Sequence, residues 1–401
     1  MSACAADVHP PVAACAVRTV AMYEPHPPGH PHHRYSTCLA RALHGLAGSR
    51  WKVELLLAWT PEGPSRTAYE HPVIDPLRPL SGYRRRAAGA LDRCLRWGLR
   101  DRQVAGWVLG RDGVAGVHYQ ASAGLATWPA LARLRASGVP ALLTVHNVRP
   151  HERRAWEPQA VRERIDRAVY GGFDALLVHS AGLRRELEAL LGSGGPPVYV
   201  VAHGVAAAAA PATPLAVRMA RRRLVFVGAP RPNKGLPVLL EAMRHLPGYS
   251  LTLAGYHSLD VYRRTVLDPL IAAARGRGVR IDVMEGFLGE AEMEAALAEP
   301  SAVVLPYLDF SAQSGVLSQA LSLGLPVVAS DVGALGETVR EYGTGVAVPP
   351  GDPAALAAGV RTLEQMPPAG LEAALLSASR ACSWERTAAA TVRVYEEVFG
   401  A

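Results

Sequence analysis

The chain has 401 residues, 49% of them hydrophobic and 19% charged, a length and composition that predict a globular protein of two domains rather than one. Its apolar stretches are interrupted by Pro, Gly or Arg well before the ~18 residues that a membrane-spanning helix requires. The net charge of +7 is unevenly held: residues 1–210 carry 25 Lys and Arg against 16 Asp and Glu, residues 211–401 carry 17 against 19. No groove-reading motif accompanies the basic half, which argues against a nucleic-acid partner.

The N-terminus, MSACAADVHPPVAACAVRTV, has no basic start and carries Asp7 and a Pro pair where a signal peptide needs an apolar core, so none is expected. Cys4, Cys15, Cys38, Cys94 and Cys382 are odd in number and scattered without a CxxC, which fits reduced thiols in the cytosol. The first half alternates helical patterns with apolar strands near Val17–Tyr23, Val53–Ala58, Gly116–Tyr119, Ala141–Val145, Ala175–Val178 and Val198–Val201. After the first strand, EPHPPGHPHHRY gathers His26, His30, His32 and His33 on a proline-stiffened loop. Zinc sites usually add Cys or carboxylate ligands at regular spacing, so no metal is expected and the histidines are read as shaping a pocket. Between Tyr83 and Trp107, Arg84, Arg85, Arg86, Arg93, Arg96, Arg100 and Arg102 alternate with Leu91, Leu95, Trp97, Leu99 and Trp107. Such a helix either lies on an anionic membrane surface or packs on its own domain with its arginines solvated. His146, in LLTVHNVRPHE, comes directly at the C-terminal end of a strand, where an α/β domain exposes side chains to its crevice. An imidazole there can orient a hydroxyl or support charge, or it can brace the loop it shares with Asn147, His151 and Glu152.

Gly204–Pro214, with five consecutive alanines, predicts the joint between domains. Strands follow near Leu224–Val227, Ser250–Ala254, Arg280–Met284, Ala302–Leu305 and Pro326–Ser330, so two Rossmann-like α/β domains should face a cleft. The segment LVFVGAPRPNKG runs from a buried strand through a Gly/Pro turn holding Arg231 and Lys234 to a helix over Leu236–His245. Unpaired N–H groups at a helix start and two nearby cations suit a diphosphate, although an ordinary crossover with solvated cations has the same pattern. PYLDFSAQSGVLSQALSLGLP predicts a second helix opening near Ser314, capped by Ser311 or Ser314, with the N–H groups near Ser314, Gly315 and Val316 as a second anion site. Asp331 and Glu337, in SDVGALGETV, either face the cleft or cap the next helix, and capping is the expected role. The last helix, Trp384–Phe399, puts Trp384, Ala388, Val392, Tyr395 and Phe399 on one stripe that needs a surface to bury it.

VGAPRPNKG, then LPYLDFSAQSGVLSQALSLGLPVVASDVGALGETV, then TGVAVPPGDPAALA resemble the C-terminal domain of retaining GT-B glycosyltransferases, family four in the sequence-based classification. LTVHNVRPHE, DALLVHS and VAHGV, in that order, resemble the same family's acceptor-side domain, so the likeness spans nearly the whole chain from about Val17. The resemblance implies an acceptor domain over 1–205, a nucleotide-sugar domain over 206–383 and a C-terminal helix, 384–401, packing back toward the first. It implies transfer of a sugar from a nucleotide-activated donor to an acceptor hydroxyl with retention of configuration and without a metal or other cofactor.

In that pattern Arg231 and Lys234 match the family's diphosphate-binding cations, and Ser314, Gly315 and Val316 its phosphate loop. Gly286, Phe287 and Gln319 match the nucleoside side, Ser311 and Gln313 the donor-sugar region. His146 matches a catalytic-site histidine, while Gly29, His30, Asn147, His151 and Glu152 fall on the acceptor side. Family members commonly carry two glutamates where this chain has Ser311 and Gln319, and a branch reading RPYKG and QSGVL shares that departure. The resemblance implies that the donor's own phosphate deprotonates the acceptor, so no general base is assigned. The Ala-, Arg- and Pro-heavy composition points to a bacterial source. The acceptor is expected to be a small molecule or lipid-linked, the basic helix favouring the second, and the chain to be cytoplasmic or peripheral to the inner face of the membrane. A nucleotide-sugar epimerase on the same fold, or a catalytically silent nucleotide-sugar-binding protein, are the alternatives.

Overall fold

The computed structural model describes residues 17–58, 68–72, 86–148, 158–206, 213–256, 261–286, 288–310 and 314–400, with backbone alone at 72, over 86–95 and at 290. Phe287, Ser311, Gln313, His151 and Glu152 lie outside the described residues, as do Arg84, Arg85, Cys4, Cys15 and most of the alanine run.

Two parallel sheets carry the chain. The first is built from β1 (Arg18–Glu24), β2 (Trp51–Leu57), β3 (Glu70–Pro72), β4 (Val114–Tyr119), β5 (Ala141–Thr144), β6 (Ala175–Val178) and β7 (Val198–Val200), in the order β3-β2-β1-β4-β5-β6-β7. The second is built from β8 (Arg223–Val227), β9 (Ser250–Tyr256), β10 (Arg280–Glu285), β11 (Ala302–Leu305), β12 (Val327–Ser330) and β13 (Gly345–Val348), in the order β10-β9-β8-β11-β12-β13. Helices cover both faces, which is why β5, β6, β11 and β12 are buried at every residue and are apolar throughout except for Thr144 and Ser330 at the ends of β5 and β12. β3 and β13 were not expected: one is three residues ending in proline, the other opens on Gly345 and alternates only small apolar residues, so neither has a distinctive pattern.

In each sheet the strand order reverses once, between β1 and β4 and between β8 and β11. The loops leaving those neighbouring strand ends splay to opposite faces and open a crevice, the usual ligand position in an open α/β sheet. The structure therefore places the loops after β1, β4, β8 and β11 where chemistry is to be sought.

Several contacts tie the two sheets together. Val205 donates its N–H to Cys382 O (2.8 Å) and forms a parallel bridge with Ser383. Helix Trp384–Phe399 then buries its stripe against first-sheet residues. Tyr395 Oη lies 2.8 Å from His118 Nδ1, Thr387 Oγ1 donates to Ala202 O, and the Phe399 ring covers Gly116, where a Cβ would come within 2.4 Å of it. Gly204 is likewise fixed as glycine by the Trp384 ring.

Asp331 and Glu337 do not cap the helix Gly333–Tyr342, whose N-cap, Val332, makes no side-chain bond. Asp331 pairs with Arg340 at 2.6 Å. Glu337 reaches the other domain, where its Oε2 accepts from Gly182 N (2.8 Å) at the start of helix Ala181–Leu191. A carboxylate at that position satisfies an otherwise unpaired N–H and complements the helix dipole. Sequence spacing reveals a cap only when cap and helix are neighbours in the chain.

Candidate active site

On the second sheet, β11 pairs with β8 (Ala302 with Leu224, Val303 with Val225), so the loops that follow them emerge side by side. After β8 the chain does not enter an α-helix at once. Arg231, exposed, precedes a single 3-10 turn over Pro232–Lys234, and Gly235 then turns left-handed (φ 64°) before the helix Leu236–Ala242. The expected helix to His245 ends in a further 3-10 turn, Met243–His245. Gly235 is required twice over: its φ is positive and a Cβ would sit 1.8 Å from Pro306 O. Leu308 N donates to Asn233 O (2.9 Å), which fastens this loop to the one after β11.

That fastening sets Lys234. Its Nζ lies 3.8 Å from the ring centre of Tyr307, which is fully buried, and 5.2 Å from that of Phe310. A ring face holds an ammonium through its quadrupole without neutralising it. Among the described residues no carboxylate pairs with Lys234, so its full charge faces whatever enters between the loops. No sequence pattern marks Tyr307, because an aromatic beside a strand end reads as core until its partner is known.

Ser314 is the N-cap of the helix Gly315–Ser322, with its Oγ accepting from Leu317 N (3.3 Å); Gly315 is exposed and Val316 half-buried, so the open helix end faces outward. Gln319 is half-buried one turn later. Beside it, Ser318 Oγ contacts His203 Nδ1 of the first domain at 3.3 Å. Gly286, with φ 97°, ends β10 at the edge of the sheet, two strands from β8. Near it Arg263 stacks on Tyr256 (4.4 Å) and pairs with Glu285, a grouping of residues that no sequence motif marks.

On the first sheet the structure assembles a chain of histidines. His32 stacks on His146 (centroids 4.2 Å), His146 meets His179, and His179 meets His203, with Tyr35 against the last three. Burial first, and neighbouring imidazoles second, hold His146 well below the ordinary histidine range; burial lowers His179 to about 3 and His203 to about 4. All three are therefore neutral near pH 7, and their tautomers follow from their partners. His179 Nδ1 lies 3.0 Å from the carbonyl of Val201, so it carries the proton and donates. His179 Nε2 then accepts, and its partner at 3.0 Å, His146 Nδ1, donates. His146 Nε2 is left as a buried lone pair with no hydrogen-bond partner. Such a nitrogen accepts from a hydroxyl. Asn147 follows, half-buried.

The loop after β1 turns at Gly29 (φ 86°) and His30 caps the helix Pro31–Gly45, its Nδ1 accepting from His32 N (3.2 Å). Burial lowers His30 to about 4 and His32 to about 2. The basic stretch forms the helix Arg86–Leu109, but not with every arginine solvated. Arg100 is 5% exposed and Asp101 1%, both turned into the domain, and burial pushes Asp101 up to about 7. Trp97 from this helix meets His26 edge-on (5.4 Å). No helix among the described residues is long and apolar enough to cross a membrane.

The family described as Glycosyltransferase Family 4 matches residues 34–208, and the one described as Glycosyl transferases group 1 matches residues 221–365. The chain is similar to a D-inositol 3-phosphate glycosyltransferase of Xylanimonas cellulosilytica, 30% identical over 305 residues that cover 71% of this chain and 72% of that protein. The chain belongs to glycosyltransferase family 4. It is also similar to a glycogen synthase of Mycobacterium tuberculosis, 31% identical over 284 residues, 68% of this chain and 66% of that protein. The fold of this family 4 chain is that of a sucrose-phosphate synthase from Thermosynechococcus elongatus, with a TM-score of 0.71 at 19% identity over 96% of this chain and 99% of that one. It is a GT-B architecture of two Rossmann-like domains.

Proposed function

We propose that this chain transfers a sugar from a nucleoside-diphosphate donor to an acceptor hydroxyl with retention of configuration, the donor held by the second domain (206–383) and the acceptor by the first (1–205), with the last helix (384–401) strapping the two. The observation that carries this reading is Lys234, an unneutralised ammonium held on Tyr307 in a loop fastened beside the Ser314-capped helix. Lys234 and Arg231 bind the diphosphate, and the N–H groups of Gly315 and Val316 take its remaining oxygens. As the sugar leaves, negative charge grows on that diphosphate, and these donors stabilise it without a metal or other cofactor. Gln319, Gly286 and Phe287 serve the nucleoside, and Ser311 and Gln313 the sugar. His146 Nε2 accepts from a hydroxyl of the donor sugar or acceptor, which holds the reacting groups in register. The donor's phosphate takes the acceptor proton. His30, Gly29, Asn147, His151 and Glu152 form the acceptor side.

The acceptor is a carbohydrate-like or lipid-linked hydroxyl in the cytoplasm, the lipid-linked case placing helix 86–109 against the inner membrane face. A thermal-shift panel of nucleotide sugars, with the best donor carried into product analysis by NMR, tests the reading. The expected result is one donor raising the melting temperature and a glycoside formed with the donor's anomeric configuration. A changed sugar nucleotide formed with no acceptor would make the protein an epimerase, and donor binding without turnover a silent binder; either contradicts the proposal.

A further inference from the structure

His26, His30 and His32 converge in the loop after β1, where the transfer chemistry calls only on His30, at the acceptor side, and leaves His26 and His32 without a role. Their ligand-capable nitrogens all lie within 4.8 Å of one another, and all three side chains are half-buried. Pro25, Pro27, Pro28 and Pro31 bracket them, so the backbone that presents the rings is stiff before any ligand arrives. His26 and His30 stack with centroids 4.0 Å apart, and His32 stands edge-on to both at 4.8 and 4.9 Å.

A further observation points to a ligand. Glu24, fully buried at the end of β1, lies 2.7 Å from His26 Nδ1. A carboxylate on one imidazole nitrogen fixes the tautomer and makes the other nitrogen a stronger donor, as behind metal-bound histidines. His26 therefore presents Nε2. His32 Nδ1 is buried with no hydrogen-bond partner, a group left unsatisfied by the protein alone.

Two features oppose a cation here. The N–H groups at the start of helix Pro31–Gly45 carry positive partial charge. Against this, the Glu24 carboxylate stands directly behind His26. The second is that His30 Nδ1 accepts the His32 N–H, so the His30 ring must release that 3.2 Å bond and turn to offer a lone pair. Bonds of about 2.0–2.1 Å in a tetrahedral site place nitrogens roughly 3.4 Å apart. Rotation about χ2, a broad torsion in histidine, covers the difference.

We propose that His26, His30 and His32 bind one transition-metal ion of the zinc class, with Glu24 orienting His26 and the fourth position open to the cleft. The ion is not needed for transfer. Because His32 stacks on His146, an occupied site narrows the approach to His146 and inhibits the enzyme. This inhibitory part rests on the glycosyl-transfer reading, whereas the binding itself does not.

The test uses tag-free protein stripped with chelator and titrated with Co2+, followed by its visible absorption, then with Zn2+. One Co2+ per chain, with the intense bands of a four- or five-coordinate nitrogen site and displacement by one equivalent of Zn2+, is expected. His26→Ala and His32→Ala each weaken binding at least ~10-fold, Glu24→Gln weakens it about 10- to 100-fold, and His44→Ala, at the far end of the same helix, leaves it unchanged. Metal-free melting curves separate lost ligands from lost fold. No cobalt band at tenfold excess, or a band that survives both histidine substitutions in folded protein, overturns the site. Binding without any loss of transfer activity overturns the inhibition alone.

Discussion

Lys234→Ala is expected to weaken nucleoside-diphosphate binding roughly 10- to 150-fold and to lower turnover about 100-fold or more, with little change in the melting temperature of the free protein. A charge-assisted hydrogen bond to a phosphate contributes about 1.5–3 kcal/mol, and each 1.4 kcal/mol is a factor of ten. Turnover falls further than affinity because the diphosphate gains charge as the sugar departs, and removing one preorganised donor to a developing anion costs about 100- to 1,000-fold. The fold loses only the cation–π contact to Tyr307, ~0.5–2 kcal/mol. Lys234→Arg does not restore the enzyme, since a planar guanidinium stacks on Tyr307 and directs its donors along the ring rather than outward. Unchanged nucleotide affinity in Lys234→Ala, read by calorimetry, would move the diphosphate elsewhere.

Acid should unfold the protein cooperatively between pH 6.5 and about 4. His118 and His179 are held at about 3 and His146 well below its ordinary value, in each case chiefly by burial. Unfolded, each titrates near 6.5. The unfolded chain therefore takes up protons below that pH while the folded chain does not. The stability that depends on these groups is complete above pH 6.5 and is lost as the pH falls toward 3. Three such groups give a slope of up to ~4 kcal/mol per pH unit. Asp101 acts in the opposite sense: raised to about 7, it holds its proton in the fold and favours the folded state at low pH. One carboxyl removes ~1.4 kcal/mol per unit from that slope and leaves the histidines dominant. Against a typical stability of ~5–15 kcal/mol the fold is exhausted within a few units. Urea midpoints at pH 7.5, 6.5 and 5.5 should fall steeply, and His179→Gln should shallow the fall by about one proton. Midpoints that hold steady across that range would mean that these histidines are charged in the fold.

The strands were legible wherever a run was apolar and β-branched, because burial on both faces leaves that pattern in the sequence. Leu224–Val227 and Ala302–Leu305 are such runs, and once they neighbour each other the loops bearing Lys234 and Ser314 have to meet. Ser314 as a cap was legible for a similar reason, since its partner is three residues away. What escaped depends on partners distant in the chain. Glu337 reads as a local cap and bonds instead to Gly182; Arg100 and Asp101 sit in a solvated-looking basic run and turn inward. The histidine chain lay scattered over LTVHNV, DALLVHS and VAHGV, and only the strand ends bring those imidazoles within hydrogen-bonding distance. Its tautomers, and with them the unpartnered His146 Nε2, follow from a single carbonyl, Val201 O, that no spacing rule selects.

The most direct test of the account is a crystal structure of the protein soaked with the nucleoside diphosphate of its best donor. The diphosphate is predicted to lie between Lys234 Nζ and the N–H groups of Gly315 and Val316, each within about 3 Å of a phosphate oxygen, with Arg231 closing over it. A diphosphate bound away from Lys234, or a well-ordered nucleotide whose phosphates point out of the cleft between β8 and β11, would contradict it.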